Sequence, residues 1–265
     1  RRVGQGTPSA DSTVTILWTI FLFVLGAVCA SFAGVLAERI HTGQSWVSGR
    51  SRCNSCAVPL RTRDLIPILS WLIYKGRCGI CTARVPGAYV LSELALGLTF
   101  AFSYLTLGLT PALPFFLLAT ATLLFIVLYD LRHMIVPAYS SLVLLILSLV
   151  VAVLVTPEVQ ELGLTLLVAG GIGLFFFLLH TLSRGRAMGL GDAPVALALS
   201  ILVGSQAFTG LLFSFWIGAL CGIIILSTRR GGPRMGIEVP FVPFLALGYL
   251  LAFFTTWNPL ALILW

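Results

Sequence analysis

Eight apolar runs, at residues 14–36, 88–107, 113–130, 138–155, 162–182, 193–203, 208–227 and 241–257, leave this chain few ways to fold. A backbone surrounded by lipid must satisfy its polar groups within itself, so runs of this kind become helices. About 20 residues of helix cross a roughly 30 Å hydrocarbon core, and most of the runs are long enough. The run at 193–203 is short; it spans only if it extends back through Gly189, and otherwise packs inside the bundle away from lipid. With 58% hydrophobic and 9% charged residues, the composition excludes a soluble globular domain. The expected architecture is an all-α polytopic membrane protein with about eight transmembrane helices.

The net charge of +7 would suit a nucleic-acid binder, but its distribution does not. Lys and Arg crowd the segment from Arg39 to Arg84, recur at Arg132, then at Arg184 and Arg186, and again at Arg229, Arg230 and Arg234. The loops between, at 108–111, 157–161 and 204–206, contain neither. Alternate loops are therefore basic, and the positive-inside rule places those loops in the cytoplasm and both termini outside. Arg1 and Arg2, at the far end of a polar lead, are the exception. A lipid bilayer, not a nucleic acid, is the expected partner. The first run lacks an immediately preceding basic segment and has the length of a retained span rather than a cleaved signal. Residues 1–13 read as a disordered extracytoplasmic tail, 14–36 as the first transmembrane helix, 37–86 as a cytoplasmic loop and 87–265 as a seven-helix membrane core.

The loop carries two Cys-x-x-Cys pairs, Cys53 with Cys56 and Cys78 with Cys81. Four thiolates at this spacing can close a tetrahedral zinc shell and stabilise a segment too small to form its own core. Disulfides or a redox motif are the alternative, which a reducing cytoplasm disfavours. Four sulfurs leave no open position, so the zinc is expected to be structural. Between the pairs, the apolar stretch from Leu65 to Leu72 is either a small core beside the metal or an interfacial segment with Trp71 and Tyr74 at the headgroups.

Two acids stand out where an apolar run meets a basic loop. Asp130 ends the third run, and Asp192 follows Gly189-Leu190-Gly191 at the mouth of the sixth. Inserting such a group at a helix centre costs roughly 2.5–3.5 kcal/mol, which makes it a functional candidate. The charge-derived topology puts both at the cytoplasmic face without having used them. Like charges held close cannot both ionise readily, so the pair would share a proton, one member acting as base toward water and the other as acid toward a carbonyl oxygen. That is aspartyl protease chemistry. Gly189 and Gly191 are expected to let substrate backbone approach Asp192 and to let the chain bend into a helix. Glu93, in the second run, reads either as a polar tie to another helix, the favoured reading, or as part of a site. His133 and His180 have no partner nucleophile and no His-Glu-x-x-His pattern, and are read as packing or interfacial residues. The competing classes are a transporter using the acids for ions, which should show an inverted repeat that is not visible, and a non-catalytic assembly protein whose zinc loop docks a partner.

In order and spacing these residues resemble the type IV prepilin peptidase family, membrane aspartyl proteases of the Gly-x-Gly-Asp class. The likeness runs through Ala30-Ser31-Phe32, the double Cys-x-x-Cys loop with Ile66-Pro67-Ile68-Leu69-Ser70-Trp71 between, and Leu91-Ser92-Glu93-Leu94. It continues through Asp130-Leu131-Arg132-His133 and Pro137, Gly189-Leu190-Gly191-Asp192, and the segment from Val239 to Ala246. The resemblance implies removal of the basic leader from type IV prepilins or pseudopilins at the cytoplasmic face of the bacterial inner membrane. Asp130 and Asp192 match the catalytic aspartates, and Cys53, Cys56, Cys78 and Cys81 the zinc ligands. Many members also methylate the new amino terminus with S-adenosylmethionine; no residues are assigned to that activity. A presenilin-like intramembrane protease is the nearest alternative. The chain departs from the family pattern in lacking its Asn after Phe32, in having Ala193-Pro194 after the second aspartate, and in Val242, which stands where the family commonly has Gly.

Overall fold

The computed structural model describes residues 9–42, 45, 49–53, 55–186, 188–228 and 239–257. Arg1, Arg2, Arg229, Arg230 and Arg234, on which part of the charge reading rests, lie outside them, as does Asn54. Among the described residues the chain is helical, and the two isolated β-bridges lie in the cysteine loop. Nine α-helices are described: α1 Ser9–Thr42, α2 Leu69–Ile73, α3 Gly87–Leu107, α4 Ala112–His133, α5 Ala138–Val155, α6 Val159–Ser183, α7 Asp192–Val203, α8 Ala207–Thr228 and α9 Val242–Thr255.

All but α2 coincide with the eight apolar runs. Six segments are long and apolar enough to cross a membrane: five of them lie in α1, α3, α4, α5 and α6, and the sixth is the continuous stretch through α7 and α8. The expected short member, α7, lies inside its bundle: Val195, Ala196, Ala198 and Leu199 are fully buried. α9 is also short, and one side of it, through Val242, Leu245, Tyr249 and Ala252, is equally buried. α1 begins at Ser9, inside the lead expected to be disordered, because each residue added to a nucleated helix gains a hydrogen bond.

The chain divides into two compact units, Arg1–Thr110 and Pro111–Trp265. The division falls after α3, not at residue 87, because α3 packs along α1. Small residues on their faces allow close approach: a Cβ on Gly26 would lie 2.6 Å from the Leu96 carbonyl oxygen, and one on Gly97 would meet the Phe23 ring at 3.0 Å. Close backbone approach of this kind is how membrane helices associate when burial from water does not drive them together. Gly26→Leu should therefore lower thermal stability by about 1–3 kcal/mol, the usual cost of overpacking, measured as a shift of Tm in detergent.

In the second unit α7 is flanked by α5, α6 and α9, and α8 lies along α9. The hydroxyls of Ser200 and Tyr249 share a 2.8 Å hydrogen bond that ties α7 to α9. α4 contacts α5 and the start of α9 brings its backbone to α4, which is what positions the acids.

Candidate active site

Asp130 lies one turn before the end of α4, which closes on Met134 in a left-handed conformation with its N–H on the Asp130 carbonyl. Pro137 then restarts the chain as α5. Asp192 is the first residue of α7, after Gly191. Both acids are buried, 5% and 7% exposed, and the Asp192 carboxylate interacts electrostatically with Asp130 and with His180. The fold thus brings together two acids from distant parts of the sequence.

Their hydrogen bonds differ. Asp192 Oδ2 accepts the Gly189 N–H at 3.1 Å, a contact that fixes the carboxylate over its own loop. Asp130 accepts the backbone N–H of Val242, the first residue of α9. That N–H is one of the unpaired donors at a helix start, where the aligned peptide dipoles favour negative charge. Asp130 Oδ2 is buried and has no hydrogen-bond partner among the described residues.

A Cβ on Gly191 would lie 2.5 Å from Val136 Cβ, so its missing side chain makes room for the 134–137 turn. A Cβ on Gly189 would meet Asp192 Oδ2 at 3.3 Å. His180, read from sequence as a packing residue, closes the loop that carries Asp192: its Nδ1 donates to the Met188 carbonyl at 2.9 Å, and its own carbonyl accepts from Gly185. Sequence reasoning also missed Val242 as a donor, although the stretch from Val239 to Ala246 pointed to the start of α9. The His133 ring packs at 4.6 Å from that of Tyr129, tilted by 52°.

Glu93 belongs to the first unit, where it accepts the Ile68 N–H at 2.7 Å and a hydrogen bond from the Ser31 side chain. It is a tie, reaching the cysteine loop as well as α1.

The four cysteines of that loop converge. All six cysteines are free thiols, and the sulfurs of Cys53, Cys56, Cys78 and Cys81 lie within 4.8 Å of one another. The two turns are built alike: the N–H of the first Cys bonds the carbonyl five residues on (Val58, Ala83), and its carbonyl accepts from the residue four on (Ala57, Thr82). Both Ala57 and Thr82 have φ of 56°, a left-handed conformation costing roughly 1–2 kcal/mol for a residue with a Cβ. Cys53 Sγ and Cys81 Sγ are 3.8 Å apart, the edge expected of a tetrahedron with metal–sulfur bonds of about 2.3 Å. The N–H groups of Cys56 and Ser55 point at the Cys53 sulfur and lower its thiol to about 6. At Cys81 the Ala83 N–H acts in the same direction, but desolvation and the neighbouring sulfurs prevail and push it to about 11. A cation bound among the four sulfurs would hold them as thiolates and offset their mutual repulsion. The cluster can hold a metal ion.

The fold and site define a polytopic helical membrane protein with a buried carboxylate pair in one unit and, in the other, four clustered cysteines able to hold a metal ion. The chain belongs to the type IV leader peptidase family. Residues 24–107 match the bacterial peptidase A24 N-terminal domain and residues 117–227 the type IV leader peptidase family. It is similar to a prepilin leader peptidase/N-methyltransferase of Myxococcus xanthus, 32% identical over 82% of this chain and 66% of the relative. A protein of the same description from Dichelobacter nodosus is 33% identical, over 77% and 70%. A type 4 prepilin-like proteins leader peptide-processing enzyme of Escherichia coli is 30% identical, over 88% and 85%. No solved structure matches the chain.

Proposed function

We propose that the protein is an aspartyl endopeptidase that removes the basic leader from type IV prepilins or pseudopilins at the cytoplasmic face of the bacterial inner membrane. One observation carries this reading: Asp130 and Asp192, distant in sequence, are both buried and close enough to interact, and one Asp130 oxygen has no other partner. The mechanism follows from the hydrogen bonds. Gly189 and Val242 hold one carboxylate each by a backbone N–H, so neither acid can turn away from the other. A water at Asp130 Oδ2 gives up its proton to the pair as it attacks the peptide carbonyl, while the shared proton passes to the carbonyl oxygen. The same groups then return a proton to the leaving amine. A basic leader is not drawn to basic loops, so recognition is assigned to the apolar helix of the precursor entering the bundle, with anionic lipid holding the leader near the surface.

The test is incubation of the purified protein in detergent with a synthetic precursor, followed by product mass and amino-terminal mapping. Cleavage at the junction of leader and apolar helix is expected. A cut within the apolar helix would make the enzyme presenilin-like, and no cut with any precursor would favour the transporter reading.

The metal is proposed to be zinc, held by Cys53, Cys56, Cys78 and Cys81; when bound it supplies no open position and only cross-links the two turns. One zinc per chain is expected by elemental analysis, falling below half in Cys78→Ser, with a lower Tm and chelator sensitivity. Full zinc content in that variant would refute the ligand set.

Methyl transfer from S-adenosylmethionine to the new amino terminus is the second reading, favoured by a cavity of about 710 Å³ in the first unit. Its wall includes Tyr74 and Tyr89, residue types suited to a purine, with Glu38 and Asp64 among five arginines. Adding the cofactor to the assay should raise the product mass by one methyl group.

A further inference from the structure

The short helix α2 turns its two sides to different surroundings. Leu69, Leu72 and Ile73, spaced to share one helical face, are 56%, 59% and 67% exposed, and Leu65 and Ile66 just before them are exposed as well. On the other side Trp71 donates its Nε1–H to the Val85 carbonyl at 3.3 Å, and its ring covers Gly76, where a Cβ would come within 2.9 Å. Ser70 faces the cavity. Among the described residues of this unit, the outward side is an apolar patch with nothing covering it.

Its depth is set by Glu93. This residue lies six positions after Gly87, about 9 Å along a helix of 21 residues that is long and apolar enough to span. The 2.7 Å bond from the Ile68 N–H to Glu93 Oε2 therefore holds the entry to α2 beside the second turn of α3. In a helix of this length crossing a roughly 30 Å core, that level lies within the outer part of the acyl chains, and a side chain leaning back toward the helix start brings the contact nearer their edge. Ile68 is held at φ +63°, a conformation a β-branched residue rarely accepts, and this kink aims both its N–H at Glu93 and the following chain along α2. The flanks carry exposed cations: Arg61 and Arg63 before the patch, Lys75 and Arg77 after it.

We propose that residues 65–73 form a monotopic insertion that seats the metal loop on the anionic leaflet of the bilayer, with Leu65, Ile66, Leu69, Leu72 and Ile73 among the acyl chains and the four cations at lipid phosphates. The occupant of the patch is lipid. A second copy or a soluble protein would have no need of the tie to α3, which brings the patch to lipid depth, whereas the paired basic flanks match an anionic surface. The Glu93 carboxylate is then the anchor that fixes how deep the loop sits.

The test uses the full chain reconstituted in vesicles of phosphatidylethanolamine and phosphatidylglycerol, with a photoreactive benzoylphenylalanine at position 72 or 73. A probe at Leu105, on the outward side of α3, is the lipid-facing control, and one at Thr82, exposed in the second cysteine turn, is the aqueous control. Retained metal content shows that each variant is folded. After irradiation, positions 72 and 73 should give lipid adducts by mass at a yield within about threefold of position 105, and at least tenfold above position 82. Replacing the phosphatidylglycerol by phosphatidylcholine should lower the yield at 72 and 73 several-fold, but not at 105. Cross-links between copies in place of lipid adducts, or yields no higher than at 82, would overturn the insertion; equal yields in both lipid mixtures would overturn the role of the cations.

Discussion

Asp130→Asn and Asp192→Asn should each lower leader cleavage by at least about 10³-fold without lowering Tm, the loss expected when an acid–base group in the reacting pair is removed. The amide replaces the carboxylate almost isosterically, and the backbone contacts survive it. At position 192 the remaining carbonyl oxygen still accepts the Gly189 N–H, and at position 130 it still accepts from Val242. The new NH₂ group at 130 falls where Oδ2 has no partner, so no existing hydrogen bond is broken. Stability is thus insulated from chemistry at both positions, which makes the pair a clean test. The measurement is product formed per unit of purified protein under single-turnover conditions, alongside thermal melts. Cleavage at the wild-type rate by either variant would show that the assignment of the pair is wrong, whatever the family to which the chain belongs.

The sequence disclosed the helices and the residue types of the site far better than the reasons for their placement. Apolar runs mark helices because lipid offers no alternative, so eight of the nine were legible from composition alone; α2, five residues in a polar loop, was not. The cysteine turns were legible because four ligands at this spacing have few other uses. Gly191 was singled out for the approach of a substrate: a glycine reports that something comes close, and the coordinates add that Val136 is one such neighbour. Val242 could not have been read as a functional residue, since it acts through a backbone N–H that every residue but proline possesses. His180 was set aside because an imidazole without a nucleophile has no recognisable pattern, yet its bond to Met188 shapes the loop that presents Asp192. For Gly191 and Val242 the information resides in contacts between segments remote along the chain, and for His180 in a loop closure that no residue pattern announces.

That contact at Gly191 yields the second large effect. Gly191→Ala places a methyl group where Val136 Cβ already lies 2.5 Å away, a separation at which one segment must move. The backbone of Gly191 has φ −68° and ψ −20°, values any residue adopts, so the alanine introduces no conformational strain of its own. The clash alone is at issue. Both clashing segments adjoin the acids: Val136 lies in the turn that follows the Asp130 helix, and Gly191 directly precedes Asp192. Moving either by the roughly 1 Å needed to restore contact separates the carboxylates, and displacement on that scale costs on the order of 10²-fold in rate. Cleavage should therefore fall about 10²-fold in Gly191→Ala, with kcat affected more than KM because the precursor's apolar helix binds elsewhere. Shrinking the opposing residue supplies the control. Val136→Gly in the same chain removes the atoms that the new methyl group meets, and the double variant should recover at least tenfold over Gly191→Ala. A substrate-facing glycine would behave otherwise, since the added methyl would then obstruct the precursor and nothing done at Val136 could relieve it. Failure of the double variant to recover, with its Tm intact, would return Gly191 to the role of admitting substrate.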